Sequence, residues 1–425
     1  MNLVIDCFKL VKGAGKSIGI YNLAKSIVCH LGERMEKGEG GTDADSAGSR
    51  TCSMDRGVHS VIVLGNSLNR SEFDVPGVTF VEVNGNPRNK LYCILWELVL
   101  VRKYARRYQA DRVLFPRGYR PFGVKRSIGR RRDGRKIKDT ILIHDLIPFY
   151  YDEHYSGVFH KTENAYIMNR LKTSMEKADR IITISEYSKA DILDKVPGCR
   201  DRITVIYNGL NDVAYSDEEE KKTDLDAEKV GHTGKRKRLG NLWKKKGKNA
   251  KQPEYIAAMT SGLPHKNAEG ILRAYEAYRK KTENPLDLVV FGIADTSAWK
   301  GMGKEAAEHV RCYKFFEKFE DMCRMAAGAK AYLFLSYVEG FGFPPLEAMQ
   351  LGVPVVCSNT SSLPEVVADA GLLVVPEDYG AAADALVRVT EDEGLREELV
   401  RRGYENIRRF SWESRTDLYW KELFR

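Results

Sequence analysis

Two glutamates in the C-terminal half, Glu339 and Glu347, have the type and spacing of a ligand-binding pair. They flank a turn at residues 340–342 that contains two glycines, and the apolar run 331–335 comes shortly before it. Pro345 suits the first turn of a helix, so the order is strand, glycine turn and helix start. N–H groups at a helix start attract phosphate, glycines allow close backbone approach, and carboxylates accept hydrogen bonds from a diol. The pattern fits a sugar diphosphate, and a pair of acids that only caps the helix is the alternative.

His144 is a second candidate, because it ends the apolar run 140–143 and is followed by Asp145. In a parallel sheet this position lies at the carboxyl end of a strand, the edge where ligands bind. A histidine there could orient a donor sugar or an acceptor hydroxyl. A structural histidine with satisfied hydrogen bonds is the alternative.

A glycine-rich segment at residues 13–17 ends in Gly-Lys-Ser, as a Walker A loop does. The first glycine of that motif would fall at position 10, which is Leu10, so we exclude a P-loop NTPase. The segment follows the first predicted strand and precedes a helix predicted over residues 18–30. Its backbone, Gly15 included, could therefore bring N–H groups toward a diphosphate.

Short apolar runs alternate with helical patterns along most of the chain, which predicts parallel sheets covered by helices. The predicted strands are residues 3–7, 61–64, 78–83, 112–115, 140–144, 180–184 and 203–207 in the first half, and 255–259, 286–291, 331–335, 354–357 and 372–375 in the second. Two such series predict two α/β domains with a ligand in the cleft between them.

The domain boundaries are predicted from changes in composition. Residues 1–215 form an N-terminal Rossmann-like domain, 253–410 form a C-terminal one, and a helix over 411–425 is expected to cross back to the N-terminal domain. Residues 216–252 hold an acidic block and two runs of basic residues with hardly any apolar side chains. That composition is typical of a solvated linker or insertion.

The positive charge of the chain is concentrated in one place. The 425 residues include 68 Lys and Arg against 59 Asp and Glu, a net charge of +9. Residues 117–138, here called the basic segment, hold ten cations against the single anion Asp133 and so account for that net charge. With Arg130, Arg131 and Arg132 at its centre, the segment predicts a surface for an acceptor's diphosphate or for anionic lipid headgroups. A solvated loop without a partner is the alternative.

The eight cysteines are scattered, with no pair at the spacing of metal or redox motifs, which indicates reduced thiols in a cytoplasmic protein. The N-terminus has no signal-peptide pattern, and the most apolar helical stretch, residues 91–101, is shorter than the roughly 20 residues that a bilayer requires. We expect a cytoplasmic location, peripheral on the inner face of the cytoplasmic membrane. A helix over 91–107, apolar on one side and basic at its end, could add to the membrane surface.

Glu339 and Glu347 resemble the E-x7-E signature of the retaining glycosyltransferases of family 4, which have the GT-B fold of two Rossmann-like domains facing across a cleft. Other segments resemble the same family: residues 353–356 and 361–366 after the signature, 410–413 at the start of the C-terminal helix, 181–188 and 205–209 at the end of the N-terminal domain, and the turn at 144–146. The resemblance covers most of the chain outside the basic segment and two polar insertions.

The resemblance implies roles in donor binding for the residues of the signature. Glu347 would bind the ribose hydroxyls of the nucleotide. Glu339 and the backbone of Phe341 and Gly342 would hold the donor sugar. Gly19 resembles the family's helix start after the first loop.

The resemblance also implies two further catalytic residues. His144 would be the active-site histidine, and Lys266 would neutralise the donor diphosphate as it leaves. Many family members carry an arginine four residues before that lysine, whereas this chain has Gly262. The difference affects the expected donor affinity and rate more than the fold. We interpret the Asp43-Ala44-Asp45 sequence as a chance match to a metal-binding motif, and we expect no metal and no cofactor.

Together these features predict a retaining, metal-independent hexosyltransferase of polysaccharide or cell-surface glycan synthesis. It would move a hexose, mannose or similar, from a GDP-, UDP- or dTDP-sugar to a glycan or lipid-linked saccharide. A GT-B nucleotide-sugar hydrolase or epimerase is one alternative. A nucleic-acid-binding protein that uses the basic segment is another, but it leaves the glutamate pair and Lys266 unexplained.

Overall fold

The structure is a computed structural model of the chain. It describes residues 1–12, 18–39, 59–124, 127–155, 157, 160–212 and 254–425. These residues form two compact units: unit 1 contains Met1–Gly209, Glu339–Phe341 and Phe410–Arg425, and unit 2 contains Leu210–Val338 and Gly342–Arg409. The predicted linker 216–252, the Asp43-Ala44-Asp45 sequence and Gly15 lie outside the described residues.

Unit 1 is built on a sheet in the order β3-β2-β1-β4-β6-β7-β8, in which neighbouring strands are parallel and β5 pairs antiparallel with β6. The strands are β1 (Asn2–Asp6), β2 (Ser60–Gly65), β3 (Thr79–Glu82), β4 (Arg112–Phe115), β5 (Gly129–Arg130), β6 (Lys136–Ile143), β7 (Arg180–Thr183) and β8 (Ile203–Val205). Their Val- and Ile-rich sequences suit strands that are buried on both faces.

The helices of unit 1 alternate with these strands. They are α1 (Ile18–Glu39), α2 (Arg70–Phe73), α3 (Lys90–Leu95), a π-helical segment (Trp96–Leu100), α4 (Val101–Arg107), α5 (Ile147–His154), α6 (Lys161–Lys177), α7 (Glu186–Lys195) and a 3₁₀ helix (Pro197–Arg202). Helix α1 continues past residue 30, where the sequence predicts its end: Leu31 is still buried, and the turns after it run out toward solvent.

Unit 2 contains a second parallel sheet in the order β11-β10-β9-β12-β13-β14. Its strands are β9 (Tyr255–Met259), β10 (Asp287–Phe291), β11 (Val310–Tyr313), β12 (Ala331–Phe334), β13 (Val355–Ser358) and β14 (Gly371–Val374). Its helices are a 3₁₀ turn (Pro264–Lys266), α8 (Ala268–Arg279), α9 (Lys304–Glu308), α10 (Phe319–Ala327), α11 (Phe343–Gln350), α12 (Leu363–Val367), α13 (Tyr379–Glu391), α14 (Glu393–Ile407) and a 3₁₀ helix (Arg408–Phe410).

Each predicted strand is present, and the prediction of two parallel α/β sheets is confirmed. Two further strands were not predicted. Strand β11 is a half-exposed edge strand with a mixed sequence, and β5 has only two residues and exists as a partner of β6. Neither carries the apolar run that marks a buried strand in a sequence.

The last helix, α15 (Trp412–Leu423), packs within unit 1 against α1. The Trp412 ring stacks on His30 at 4.8 Å between ring centres, and Arg34 forms an ion pair with Asp417. The approach is close at Gly209, where a Cβ would lie 2.3 Å from the Trp412 ring. A glycine at that position is therefore a requirement of the packing.

A buried ion pair holds the start of the basic segment in unit 1. The guanidinium of Arg120 donates to both carboxylate oxygens of Asp139, at 2.5 and 3.0 Å, and both side chains are almost fully buried. Burial raises the pKa of Asp139 to about 6 although Arg120 opposes the shift. Ionising the buried Asp139 carboxyl without Arg120 would therefore cost free energy of folding.

We expect Arg120→Met to lower the free energy of unfolding of unit 1 by about 3–5 kcal/mol at neutral pH, because it leaves a buried carboxylate unpaired. Without Arg120 the pKa of Asp139 lies above its wild-type value of about 6, so the loss should shrink as the pH falls toward 6 and the variant takes up a proton first. Urea denaturation at pH 5.5 and pH 8 measures both effects. Arg132→Met, at an exposed position of the same segment, is the control and should change little. Equal losses for the two variants would contradict a structural role for Arg120.

Candidate functional site

The order of strands in each sheet creates a gap beside its first strand. In unit 2, β9 has β10 on one side and β12 on the other, so the chain leaves the ends of β9 and β12 in opposite directions. In unit 1, β1 lies in the same way between β2 and β4. In open parallel sheets ligands bind at the carboxyl end of the strands at such a point. The predicted residues Lys266 and Glu347 follow β9 and β12.

Glu347 lies in α11 and lines a small cavity of unit 2 together with Phe291, Cys323 and Tyr332. Burial raises the pKa of the Glu347 carboxyl to about 7. Within the described part of the chain no group donates a hydrogen bond to this carboxylate. Glu347 itself is partly exposed, so its carboxylate can accept hydrogen bonds from a ligand.

The helix that carries Glu347 begins at Gly342, whose φ of 111° is in the left-handed region. A Cβ on Gly342 would also lie 2.7 Å from Leu363. Two prolines, Pro344 and Pro345, stand in the first turn of the helix, where they need no N–H partner. The glycine turn and helix start predicted from the sequence are therefore confirmed.

Lys266 ends the 3₁₀ turn that follows β9, and its Nζ lies 5.9 Å from the ring centre of Phe334, the last residue of β12. Its carbonyl accepts a 2.7 Å hydrogen bond from the hydroxyl of Thr260. The lysine and the end of β12 thus share one edge of the sheet, as expected for residues that bind a common ligand.

Asn267 holds this turn in place, although it was not among the predicted site residues. Its backbone is left-handed, its side-chain oxygen accepts from the N–H of Gly270, and its Nδ2 donates to the carbonyls of Leu335 and Pro376. The N–H of Tyr337 donates to the carbonyl of His265 at 2.8 Å. An asparagine directly before a helix was the available signal, since it is a preferred N-cap.

In unit 1, His144 follows β6 directly, and its Nε2 lies 2.9 Å from the carbonyl oxygen of Pro116. A carbonyl only accepts, so Nε2 carries the proton and Nδ1 keeps its lone pair. Burial lowers the pKa of His144 to about 4. The imidazole is therefore neutral at physiological pH and suited to hydrogen bonding rather than to charge stabilisation.

Residues Glu339–Phe341 group with unit 1 and contact the His144 turn. The carbonyl of Gly340 accepts a 2.8 Å hydrogen bond from the Ser185 hydroxyl, and a Cβ on Gly340 would lie 2.5 Å from the carbonyl oxygen of His144. The structure therefore brings the buried Glu339 near His144, two residues that are far apart in the sequence.

Phe341 and Gly19 differ in what they can offer a ligand. The Phe341 ring packs against Phe410 and Tyr207, with ring centres 5.5 and 6.4 Å away, so only its backbone is available to a sugar. Gly19 lies exposed in the first turn of α1, where a Cβ would meet nothing within 4 Å.

A polar cleft at the switch point of unit 1, here called the unit 1 cleft, was not anticipated. It is lined by Asp6 at the end of β1, Lys9 after it, Arg117 and Tyr119 after β4, and Glu97 from the π-helical segment. Trp96 Nε1 donates to both oxygens of Asp6 at 3.2 Å, and burial raises the pKa of Asp6 to about 6. Glu97 forms ion pairs with Lys9 and Arg170.

The available signal for the unit 1 cleft was Asp6 at the end of the first strand. Glu97 gave no local signal because it lies in an apolar helical run, and only the fold brings it beside Lys9. The cleft offers carboxylate acceptors and cationic donors side by side, which is the chemistry that recognises sugar hydroxyls.

The basic segment is less electropositive than its sequence suggests. Arg131 is half-buried and pairs with Asp111 and Asp133, Arg135 pairs with the same two acids, and Lys136 pairs with Asp179. Arg130, at the end of β5, and Arg132 are exposed. Acids that are distant in the sequence thus neutralise part of the predicted surface. Across the described ranges, no helix is both long enough and apolar enough to cross a bilayer.

Two Rossmann-like parallel sheets, with polar and charged residues at the carboxyl edge of each, define a protein of the GT-B fold. A family model described as "Glycosyl transferases group 1" matches residues 241–406, and one described as "Glycosyltransferase Family 4" matches residues 53–213. The chain belongs to this family of glycosyltransferases.

Individual relatives agree with that assignment. The chain is 30% identical over 276 residues to O-antigen chain mannosyltransferase B of Escherichia coli, a match that covers 64% of this chain and 66% of the relative. It is 26% identical over 280 residues to the serotype-specific mannosyltransferase WbdA of the same species, covering 65% of this chain and 32% of that protein. The chain thus matches about two thirds of the length of the first relative and about one third of the length of the second.

The solved structure of Anabaena HepE in complex with UDP-glucose is similar in fold, with a TM-score of 0.61 and 16% sequence identity. That alignment covers 100% of this chain and 99% of HepE.

We expect Gly340→Ala to lower the transferase rate by a factor on the order of 100, because a displacement of about 1 Å at a site can have that effect. The added methyl would meet the His144 carbonyl and the Asp145 Cβ, at 2.5 and 3.0 Å, so residues 339–341 must move. Gly198→Ala is the matched control, since its Cβ meets nothing within 4 Å. Initial rates and melting temperatures of both variants make the comparison, and a normal rate in Gly340→Ala would show that this contact does not position the site.

Proposed function

We propose that this chain transfers a hexose, mannose or similar, from a nucleotide sugar to a glycan acceptor in the synthesis of a cell-surface polysaccharide. The observation that carries the proposal is the Glu347 carboxylate, which is partly exposed in a small cavity of unit 2 and has a raised pKa and no donor among the described residues. The two adjacent hydroxyls of a ribose can donate to its two oxygens. The names of the O-antigen mannosyltransferase relatives support the glycan and the hexose.

The donor is a GDP-, UDP- or dTDP-hexose held by unit 2. Lys266 ends the turn after β9, its ammonium lies near Phe334 at the end of β12, and in this proposal it binds the diphosphate. Gly262 is exposed and has open space around it, so the chain has no second cation four residues before Lys266. Lys266 therefore carries more of the charge neutralisation than it would beside an arginine.

The reaction retains the configuration of the sugar and uses no metal or cofactor. The bond from C1 of the hexose to the diphosphate oxygen breaks, the bond from C1 to the acceptor oxygen forms on the same face, and the acceptor's proton passes to the leaving phosphate. Negative charge grows on the leaving oxygen, and the Lys266 ammonium stabilises it. Glu339 and the backbone of Phe341 and Gly342 hold the sugar, Gly15 and Gly19 bind the diphosphate, and neutral His144 bonds a sugar or acceptor hydroxyl.

The acceptor is a glycan or a lipid-linked saccharide, and the unit 1 cleft binds it. Asp6 and Glu97 accept hydrogen bonds from its hydroxyls, and Lys9 and Arg117 donate to its oxygens. With a lipid-linked acceptor the protein works at the inner face of the cytoplasmic membrane. The exposed Arg130 and Arg132 contribute to acceptor or membrane contact, and Arg131 does so only indirectly, since it pairs with Asp111.

Nucleotide-sugar binding should strengthen as the pH rises from 6 to 8. The ribose hydroxyls bond best to ionised Glu347, whose pKa is about 7. The ionised fraction rises about tenfold over this range, from about 0.09 to about 0.91, so the dissociation constant should fall about tenfold. Thermal shifts with UDP-, GDP- and dTDP-sugars identify the base, and calorimetry across the pH range then measures affinity. The intact nucleotide sugar is the ligand because its diphosphate does not titrate in this range.

Glu347→Gln is the control for this pH dependence. An amide cannot ionise, so the variant should bind the same nucleotide sugar more weakly and with no slope between pH 6 and pH 8. The assignment of Glu347 fails if the variant keeps the slope of the wild type. It also fails if no nucleotide sugar stabilises the folded wild-type protein.

We expect Lys266→Ala to lower kcat by a factor on the order of 100, the size of effect found when one group that stabilises developing negative charge is removed. Lys280→Ala, at an exposed lysine of unit 2, should leave kcat unchanged. Wild-type activity should survive a chelator, and NMR of the product should show the anomeric configuration of the donor. Loss of activity with the chelator would refute metal independence, and an inverted product would refute retention.

A further inference from the structure

Helix α3 and the π-helical segment after it expose a row of aliphatic side chains. Leu91, Ile94, Leu95, Leu98 and Val99 are 77%, 48%, 45%, 40% and 49% exposed, respectively. Their spacing of three, one, three and one residues places them on one side of a helical segment. We call these five residues the apolar ridge. Soluble proteins rarely expose so contiguous an aliphatic surface without a partner.

The opposite side of the same segment is fixed to unit 1. The Trp96 side chain is fully buried and donates to Asp6, and Glu97 forms ion pairs with Lys9 and Arg170. Asn89 caps the start of α3 by accepting from the N–H groups of Leu91 and Tyr92. The apolar ridge is therefore a rigid surface rather than a frayed helix.

The charges around the ridge have one sign. Between residues 84 and 110 Glu97 is the one acidic residue, and its side chain is only 15% exposed and is ion-paired toward the unit 1 cleft. The same stretch contains six cations that flank the ridge at both ends: Arg88, Lys90, Arg102, Lys103, Arg106 and Arg107. Arg102 and Lys103 follow Leu98 and Val99, respectively, by four residues, so they lie on the same side of the helical segment as the ridge.

We propose that the apolar ridge inserts into the interfacial layer of an anionic bilayer, with the flanking cations on the lipid phosphates. Aliphatic side chains between basic residues are the pattern of a helix that lies in the membrane plane. A protein partner would instead be expected to meet aromatic anchors and charges of both signs. The surface differs from the basic segment, whose arginines and lysines are partly neutralised by acids of unit 1.

The purpose of this docking rests on the proposed lipid-linked acceptor. The π-helical segment supplies Leu98 and Val99 to the ridge and the neighbouring Glu97 to the unit 1 cleft. Insertion of the ridge therefore brings the cleft close to the headgroup layer, because Glu97 and Leu98 are adjacent in the chain. π-helical turns are frequent at functional sites, and here the turn separates a lipid face from a cleft face.

Vesicle sedimentation tests the proposal with the full chain. Wild-type protein should bind vesicles of phosphatidylcholine with about 30% phosphatidylglycerol, and bind pure phosphatidylcholine vesicles weakly. The triple variant Leu91→Ser, Leu95→Ser, Leu98→Ser should lose at least about tenfold in affinity for the anionic vesicles, and Lys90→Glu with Lys103→Glu should do likewise. Phe315→Ser with Leu263→Ser removes exposed apolar side chains of unit 2 and is the matched control.

Two results would overturn the proposal. One is unchanged vesicle binding by the triple variant. If the variant Arg130→Ser with Arg132→Ser then binds vesicles more weakly, the membrane contact belongs to the basic segment instead. The other is a wild-type dimer in light scattering that the triple variant abolishes, without vesicle binding by either protein. Donor turnover with a soluble saccharide distinguishes the membrane proposal from the proposed function. The triple variant should retain this turnover. Wild-type protein that binds vesicles but shows no turnover would refute the proposed function and leave the membrane proposal standing.

Discussion

The parallel sheet imposes the constraint on which the rest of this molecule depends. Apart from the two-residue β5, its strands all run one way, so each connection must return along the outside of the sheet, and the direction of winding reverses beside the first strand of each unit. That reversal leaves space at the carboxyl ends of β1 and β4 in unit 1 and of β9 and β12 in unit 2. Asp6 and Lys9 occupy one edge, and Lys266 and Glu347 occupy the other.

Burial decides what the charged residues can do at these edges. Glu347 has a raised pKa and no donor among the described residues, which suits it to a ligand that brings hydroxyls. His144 is kept neutral by burial, and its bond to Pro116 fixes which ring nitrogen carries the proton. Arg120 and Arg131 pair with Asp139 and Asp111 within unit 1. A cation counted in the sequence is therefore not always a cation on the surface.

The segment from α3 to α4 shows how one stretch of chain can combine two tasks. Trp96 and Glu97 fix it to the unit 1 cleft, and the apolar ridge faces solvent. A regular amphipathic helix would turn its aliphatic side toward the core and its basic side outward. Here the buried anchor is a tryptophan and an ion-paired glutamate, and the aliphatic side is left for a membrane in our proposal.

Local patterns in the sequence determined the two parallel sheets, nearly all their strands, the glycine turn before α11 and the Glu339 and Glu347 pair, because apolar periodicity and turn residues act over short distances. Tertiary structure alone decided what depends on distant partners. It joined Glu97 to Lys9, set Gly340 against His144, raised the pKa of the Glu347 carboxyl and paired the arginines of the basic segment with Asp111 and Asp139. Burial and ion pairing depend on which surfaces meet when the sheets form, and no local pattern records that.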